Sequence, residues 1–177
     1  FEGVRMHLAR PDDPAEWAAP DQYPIWERAE SLSASFLSFG PVERLPAIEP
    51  IIARFPNVKV VLDHLGGAPF DEEDPCPLLQ IVLNMAKYPN VYVKFTPQAG
   101  KSNENFPLTD THDVYHRIYD TFGPQRLMWG TDFPHILRNI GYQNGLDLFR
   151  HHLPFLSDND KEWLFAKTAQ SVWKFGP

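Results

Sequence analysis

The 177-residue chain is 43% hydrophobic and 22% charged, and its formal net charge is −7. No apolar run approaches the roughly 18 residues of a transmembrane helix, and an acidic balance without a Lys/Arg cluster argues against nucleic acid or an anionic membrane as a partner. The single cysteine excludes an internal disulfide and zinc sites built from cysteines. We therefore expect a cytoplasmic globular protein that acts on a small molecule.

Predicted strands and helices alternate through the first part of the chain. Residues 1–8 alternate apolar and polar side chains, which predicts a strand. A loop over 9–24, a short helix over 25–30, a second strand over 31–40 and an amphipathic helix over 42–55 follow. The strongest strand signal lies at 58–67, where an apolar run leads into Asp63, His64 and two glycines.

The alternation continues to the end of the chain. A helix over 78–88 precedes a strand over 90–96, and a loop over 97–109 precedes a helix over 110–122 and a strand over 126–129. Two helices are predicted over 142–153 and 158–175. Ser157 and Asp160 have the spacing of a capping box at the start of the last helix.

Strands that alternate with helices predict βαβ units and a parallel sheet, so the fold class is α/β. Polar side chains recur where these strands end: Arg5 and His7, then His64, then Lys94 and Thr96, then Asp132 and His135. In parallel α/β folds ligands bind at the carboxyl ends of strands. Convergence from several strands favours the mouth of a (β/α)₈ barrel over an open sheet.

The segment RLMWGTDFPH, residues 126–135, is the centre of the predicted site. An apolar strand ends there abruptly in a carboxylate, a proline and an imidazole. Asp132 is therefore a candidate catalytic group. The alternative is an aspartate that only caps the following helix, since Asp is a favoured N-cap residue.

Four segments together resemble a known family. VVLDHLGG, NVYVKFT and RLMWGTDFP are similar to the last three barrel strands of the amidohydrolase superfamily, in its amidohydrolase-related subgroup, and FEGVRMH resembles the fourth strand. The resemblance implies a TIM-like (β/α)₈ barrel. The His-x-His pair of the family's first strand has no counterpart here. We therefore expect residues 1–177 to be the C-terminal portion of a single barrel domain, a truncated barrel with strands four to eight.

The subgroup contains lactonases, such as 2-pyrone-4,6-dicarboxylate and sugar-lactone hydrolases, and metal-dependent decarboxylases. Where the decarboxylases carry a metal-binding histidine on the fifth strand, this chain has Ser33, Ser35 and Ser38. That pattern resembles the lactonase branch. The implied activity is hydrolysis of a lactone or cyclic ester of a carboxylic acid. The alternatives are a decarboxylase of an aromatic or muconate-type acid, and an inactive fragment or subunit that completes its barrel with another chain.

The resemblance implies that Asp132 is the general base that activates water, or a metal ligand if a metal is bound. His64 would polarise the substrate carbonyl or share the water, unless it is a core imidazole bonded to backbone. Arg5 suits a substrate carboxylate through its bidentate fork, although a structural ion pair with an acid of a neighbouring strand is the alternative. His7 lies on the same strand face as Arg5. His135 belongs either to the site or to loop packing.

The expected cofactor is one divalent metal, zinc or manganese, in a full-length parent. We expect no tightly bound metal on this chain alone, because Asp132 and His64 are too few ligands for a zinc site. His112 and His116 are four residues apart on a predicted helix, which is the spacing of a possible metal pair. We expect them instead to lie on a solvated face of that helix. The partners are a small-molecule carboxylate or lactone and either a missing N-terminal segment or another copy of the chain.

Overall fold

Five parallel strands form one sheet in the order β1-β2-β3-β4-β5, so each strand lies beside its neighbour in sequence. The computed structural model describes residues 2–10, 12–71 and 76–175. Register pairs Arg5 with Leu37, Val61 with Tyr92, and Lys94 with Met128. The strands are β1 Gly3–His7, β2 Ser35–Phe39, β3 Val60–Leu62, β4 Val91–Phe95 and β5 Leu127–Trp129. The predicted α/β class and parallel sheet are confirmed.

Eight α-helices follow or connect these strands in the described part of the chain. Several continue into 3₁₀ or π-helical turns, such as Val42–Ile48 before the second helix and Trp163–Lys167 between the last two. The helices are α1 Tyr23–Leu32, α2 Glu49–Arg54, α3 Pro77–Asn84, α4 His112–Phe122, α5 Ile136–Asn139, α6 Gly141–Asp147, α7 Asp158–Glu162 and α8 Thr168–Val172.

The main core lies between the sheet and the helices that cover one of its faces. Trp26 of α1 stacks on Phe36 of β2 with ring centroids 4.2 Å apart. The residues of β3 are fully buried because both faces of this strand are covered. A continuous apolar run such as Val60–Leu62 is the pattern that such a strand requires.

A smaller cluster packs on the opposite, concave face of the sheet. Val61 and Met128 contact Val172 at the end of α8, and Trp173 packs beside them. The Trp173 indole donates a hydrogen bond to Ser35 Oγ at 2.8 Å. Because Ser35 is the first residue of β2, the C-terminal segment closes the amino end of the concave face. The carboxyl ends of the strands stay open to solvent.

Two predicted strands are shorter than expected. The strand over 31–40 begins only at Ser35, because α1 extends to Leu32 and ends at Ser33 in the left-handed conformation, with φ 55°. The strand over 58–67 ends at Leu62, and the left-handed residues His64 and Leu65 turn the chain immediately afterwards. A left-handed residue cannot continue a strand, so both differences have the same cause.

Helix boundaries also differ from the prediction. The helix over 42–55 is α-helical only in Glu49–Arg54, since Pro46 lies inside the preceding 3₁₀ turn and removes a backbone donor. The helix over 158–175 ends at Val172, and α5 was not predicted. The predicted capping box is confirmed, because Ser157 and Asp160 exchange both hydrogen bonds.

No described helix has the length and apolarity to cross a bilayer.

Candidate active site

All five predicted site residues line one open cavity of about 620 Å³ at the carboxyl ends of the strands. Arg5 and His7 come from β1, His64 follows β3, and Asp132 and His135 follow β5. Strand order therefore brings together side chains that are far apart in sequence. The other lining residues are Phe39, Gly67, Ala68, Gln98, Lys101 and Phe133.

A second, inner cavity of about 340 Å³ adjoins the outer one. Arg5, His64 and Asp132 line both cavities, so these three side chains lie at the junction. The other inner residues are Asp63, Lys94, Thr96, Gly130 and Thr131. A reacting group at the junction would face the carboxylate and the imidazole together.

Asp132 lies in a tight turn directly beyond β5. Its φ is 55°, and its carbonyl accepts the N–H groups of His135 at 2.8 Å and Ile136 at 3.3 Å. The residue before α5 is His135, and the Asp132 carboxylate accepts no hydrogen bond from a described backbone amide. The N-cap interpretation therefore does not match the structure. The carboxylate is about one-third exposed and faces the cavities.

His64 is held between two strands with its outer nitrogen toward the acids. Nδ1 lies 3.4 Å from Thr96 Oγ1, and Nε2 lies 3.7 Å from Asp132 Oδ1 and 3.9 Å from Asp63 Oδ2. The ring makes no hydrogen bond to a described backbone group, so it is not the core imidazole of the alternative interpretation. Its Nε2 is placed to act on a molecule that also contacts Asp132.

A partly buried chain of hydrogen bonds holds Thr96 behind His64. Gln98 Nε2 donates to Thr96 Oγ1 at 2.6 Å, and the Tyr115 hydroxyl donates to the Thr96 carbonyl at 2.9 Å and accepts from Gln98 N at 3.0 Å. Burial raises the pKa of Tyr115, so its phenol stays a donor throughout the working pH range. The chain connects α4 to the site residue His64.

Two cations share one buried carboxylate beside His64. Arg5 Nη2 lies 2.9 Å from Asp63 Oδ2, and Lys94 Nζ lies 3.0 Å from Asp63 Oδ1. The Arg5 guanidinium also lies 4.2 Å above the Phe39 ring. Arg5 therefore forms the structural ion pair of the alternative interpretation. About half of its side chain nevertheless remains exposed toward the cavity. Arg5 therefore has donors left for a substrate.

His7 and His135 flank the outer cavity. The His7 ring contacts Phe39 edge to face at 4.9 Å, and its Nδ1 is buried without a hydrogen-bond partner in the described residues. Such an atom is a candidate for a ligand hydrogen bond. His135 is exposed and lines the cavity rather than packing into the loop.

Sequence reasoning missed Asp63, Gln98, Lys101 and Phe39 as parts of the site. Asp63 had a detectable signal, because it follows Val61 by two residues and so lies on the same sheet face as Arg5 and Leu37. Gln98 and Lys101 belong to a loop with no periodic pattern. Their position depends on the tertiary fold.

The remaining histidines have structural roles. His112 Nε2 lies 2.8 Å from the Pro107 carbonyl, and the His116 ring stacks on Phe155 at 4.5 Å. His151 pairs with Asp147, and the His152 ring contacts Phe106 edge to face. His112 and His116 thus contact the preceding loop and Phe155, respectively.

The described side chains supply only part of a metal site. No group of three His, Cys, Asp or Glu side chains in the described ranges is arranged to hold an ion. His64 and Asp132 are ordinary zinc ligands and face each other, whereas Asp63 is neutralised by two cations. The donor set fits two ligands of a divalent ion, and further ligands would have to come from elsewhere.

The family model described as Amidohydrolase matches residues 1–175. The chain belongs to the amidohydrolase family. A relative, L-fucono-1,5-lactonase of Burkholderia ambifaria, is 26% identical over 138 residues, which are 76% of this chain and 46% of the relative. This amidohydrolase chain thus spans about half the length of that curated relative.

Solved structures show the same fold. An amidohydrolase from Burkholderia multivorans with bound zinc has a TM-score of 0.88 and 22% identity, over 99% of this chain and 65% of that one. A probable 2-pyrone-4,6-dicarboxylic acid hydrolase from Acinetobacter baumannii, with citric acid bound, has a TM-score of 0.80 and 21% identity over the same shares. The five-stranded α/β sheet of this amidohydrolase is therefore the fold of part of those proteins.

Proposed function

We propose that this amidohydrolase hydrolyses a lactone or similar cyclic ester of a carboxylic acid. The observation that carries the proposal is the Asp132 carboxylate 3.7 Å from His64 Nε2, at the junction of two cavities that also contain Arg5. A base, a polarising imidazole and an anion-binding guanidinium are the groups that such a reaction needs. The similarity to a lactonase points to the same chemistry.

In the proposed reaction Asp132 takes a proton from water as the water oxygen attacks the lactone carbonyl. The bond between the carbonyl carbon and the ring oxygen then breaks, and the ring oxygen takes up the proton from Asp132. His64 polarises the carbonyl through Nε2, because Nδ1 faces Thr96. General-base catalysis of this kind contributes roughly 10²- to 10⁴-fold to the rate.

The substrate contacts follow from the outer cavity. Arg5 binds a substrate carboxylate with the donors that Asp63 leaves free, and His7 and His135 are further contacts on either side. A cavity of about 620 Å³ is large enough for a sugar lactone or a pyrone dicarboxylate. Both kinds of compound occur in the names of the relatives.

A divalent metal, zinc or manganese, is part of the proposal for a full-length protein. His64 and Asp132 would hold it on this chain, and when bound it would polarise the carbonyl as a Lewis acid. Two ligands are too few for tight binding. We expect metal analysis of extensively dialysed chain to return clearly less than one ion per chain, and a stoichiometric ion would contradict this expectation.

We propose that the chain is the C-terminal portion of one barrel domain in the cytoplasm. The share of each relative that it covers and the single neighbour of both β1 and β5 in the described sheet support this view. The missing barrel strands or a second copy of the chain would cover these edges. An inactive fragment or a subunit that needs another chain is the alternative.

Decarboxylation is the second candidate activity within the family. The decarboxylase branch, by resemblance, carries a metal-binding histidine on the strand that corresponds to β2. Here β2 contributes Ser35 and Ser38, which are both buried. The lactonase proposal therefore has the better support from this chain.

The test is hydrolysis of L-fucono-1,5-lactone and 2-pyrone-4,6-dicarboxylate by the protein that carries this chain. Asp132→Asn keeps the shape of the side chain and removes the base, so kcat should fall about 10²- to 10⁴-fold with an unchanged melting temperature. Asp147→Asn, on α6 and away from the cavities, is the control. A protein that keeps more than about a tenth of its activity without Asp132 would contradict the assignment.

A further inference from the structure

Lys94 lies in the inner cavity and is not one of the proposed site residues. It follows Tyr92 by two residues on β4, so both side chains project from the concave face of the sheet. Lys94 is the nearer of the two to the carboxyl end of the strand, where the cavities lie. The side chain is only 22% exposed, and Nζ pairs with Asp63 at 3.0 Å. A largely buried ammonium therefore borders the same inner cavity as Asp132.

Gly130 makes room for the Lys94 side chain. A Cβ atom on Gly130 would lie 2.9 Å from Lys94 Cδ and 3.1 Å from Cγ, which is closer than carbon atoms pack. The same Cβ would lie 3.4 Å from the Thr96 methyl group. The lysine stem thus packs against Gly130, two residues before Asp132, and the ammonium at its end pairs with Asp63.

Four charged side chains among the described residues line the inner cavity: Arg5, Lys94, Asp63 and Asp132. Asp63 pairs with both Arg5 and Lys94, so the two cations are balanced only while Asp132 is ionised. When Asp132 takes the proton from water, one positive charge is left over at the wall of the inner cavity. A fixed cation in a partly desolvated site stabilises negative charge that forms nearby more strongly than water does.

We propose that Lys94 is a further catalytic residue, whose ammonium stabilises the oxyanion formed when water attacks the lactone carbonyl. The proposal rests on the proposed function. As the bond from water to the carbonyl carbon forms, the carbonyl π pair moves to its oxygen and the water proton moves to Asp132. The oxyanion lies against Lys94, and its electron pair re-forms the carbonyl as the ring C–O bond breaks.

Lys94 suits this role better than Arg5. Arg5 lines both cavities, its guanidinium lies over Phe39 and about half of its side chain is exposed, so it suits a carboxylate on the substrate periphery. Of the two cavities Lys94 borders the inner one alone, together with Thr131 and Asp132 from the turn beyond the neighbouring strand β5. The reacting carbonyl would then lie between Lys94 and the base.

The first test measures kcat and KM for L-fucono-1,5-lactone with Lys94→Met and Lys94→Arg. Loss of an oxyanion-stabilising group costs about 10²- to 10³-fold in kcat, and KM should change less than about threefold because the charge forms only in the transition state. Lys94→Arg should retain clearly more kcat than Lys94→Met. Lys94→Met with a kcat within about fivefold of the wild type, or with a change in KM alone, would overturn the proposal.

The matched control is Lys87→Met. Lys87 lies before β4, at the opposite end from Lys94, and also pairs with a carboxylate, that of Glu49. Its loss removes one charge and one ion pair without touching the cavities, so kcat should stay at the wild-type value. If Lys94→Met fails to fold, the kcat of Asp63→Asn is compared with the kcat of the double variant Asp63→Asn/Lys94→Met. The double variant lacks the Asp63 carboxylate, so the loss of Lys94 leaves no carboxylate unpaired. A fall in kcat between these two variants supports the proposal, and equal kcat values overturn it.

Calorimetry with L-fuconate, the product acid, separates this proposal from the proposed function. The product carboxylate occupies the place of the reacting carbonyl, so Lys94→Met should weaken its binding about tenfold. A wild type that binds L-fuconate through Lys94 but hydrolyses neither lactone would overturn the proposed function alone. Equal binding by wild type and Lys94→Met would overturn the role of Lys94, and no binding by the wild type would overturn both proposals.

Discussion

His64 depends on a neighbouring strand for its orientation. Thr96 Oγ1 lies 3.4 Å from Nδ1 of the imidazole and is itself held by Gln98. Thr96 is fully buried, and a valine in its place would fill the same volume without a hydroxyl. The imidazole would then lose the contact that directs Nε2 toward Asp132.

We therefore predict that Thr96→Val lowers kcat about 10- to 100-fold, the usual cost of losing such an orienting partner. Valine keeps the volume, so the melting temperature should change little by comparison. Thr121→Val is the control, because Thr121 donates a hydrogen bond to the Arg117 carbonyl on the exposed side of α4, away from the cavities. Steady-state kinetics on both variants check the prediction, and equal kcat values for them would contradict it.

Arg5 is predicted to select for acidic substrates. Arg5→Met should raise KM for 2-pyrone-4,6-dicarboxylate about 10- to 100-fold, since a hydrogen bond to a charged group is worth about 1.5 to 3 kcal/mol. KM for the uncharged L-fucono-1,5-lactone should change far less. Arg10→Met, on the exposed segment after β1, is the control. An equal rise in KM for both lactones would show that Arg5 has only a structural role.

At the residue scale the sequence indicates the site because its members are polar groups at strand ends. Asp132, His64, Arg5, His7 and His135 all follow this pattern, and all line the cavity. Gln98 and Lys101 do not follow it, because a loop residue has no fixed direction before the loop is packed. The roles of these side chains remain proposals that the experiments above decide.

At the scale of single elements, α7 has the most clearly defined start. Asp160 accepts hydrogen bonds from Ser157 N at 3.0 Å, Ser157 Oγ at 2.6 Å and the Tyr119 hydroxyl at 3.0 Å. Burial acts to raise the pKa of Asp160, but these hydrogen bonds outweigh it and hold the pKa below its ordinary value. The ionised carboxylate thus connects the cap of α7 to α4.

Asp160→Asn should destabilise the protein by about 1 kcal/mol at neutral pH, the usual value of a capping interaction. The folded-state pKa is lowered, so the stabilisation is present above the unfolded pKa and is lost as pH falls through the lower folded value. Denaturant unfolding at neutral and acidic pH measures both. Asp158→Asn, in the same turn but fully exposed, is the matched control. The same acid-dependent loss in both variants would contradict the role of Asp160.

Element types were predictable from periodicity, and element ends were not. The strand over 90–96 lies within one residue of β4 at each end, because Pro89 and Asn90 mark its start and its alternation is regular. The second strand was predicted four residues too early, since nothing in SLSA shows that α1 continues to Leu32. Left-handed residues at Ser33 and His64 set these ends, and such conformations depend on tertiary contacts.

At the scale of the molecule, the outer edge of β1 has no strand partner among the described residues. Leu8 N and the Glu2 carbonyl bond to β2, so by alternation the N–H groups of Gly3, Arg5 and His7 point away from it. An apolar groove of about 300 Å³, lined by Val4, Pro24, Ile25, Arg28, Ala29, Leu32, Ala34 and Phe36, runs beside this edge. Both features suit a further strand or another copy of the chain.

We predict that the amides of Gly3, Arg5 and His7 are protected from hydrogen exchange in the native protein, because a partner covers this edge. The amides of Val4 and Met6, which point toward β2, are the internal reference and should be protected in any case. Native-state exchange read by NMR or mass spectrometry tests this. Fast exchange at the three outward amides, in a monomer of this chain alone, would show that five strands suffice.

The sequence predicted the parallel α/β architecture of the molecule because each βα unit has its own hydrophobic periodicity and its own turn residues. It did not predict how the concave face is closed at its amino end. Trp173 follows a helix that resembles any amphipathic surface helix, and its contact with Ser35 spans 138 positions of the chain. Pairings of that separation leave no local signal.

The order of the sheet has a consequence for biosynthesis. Every strand pairs with the one made just before it, so the sheet can grow unit by unit as the chain leaves the ribosome. The contact between Trp173 and Ser35 forms late, because Trp173 is synthesised 138 residues after Ser35. Until that moment Val61 and Met128 stay open to solvent, and a nascent chain stalled before residue 172 exposes an apolar surface that chaperones recognise.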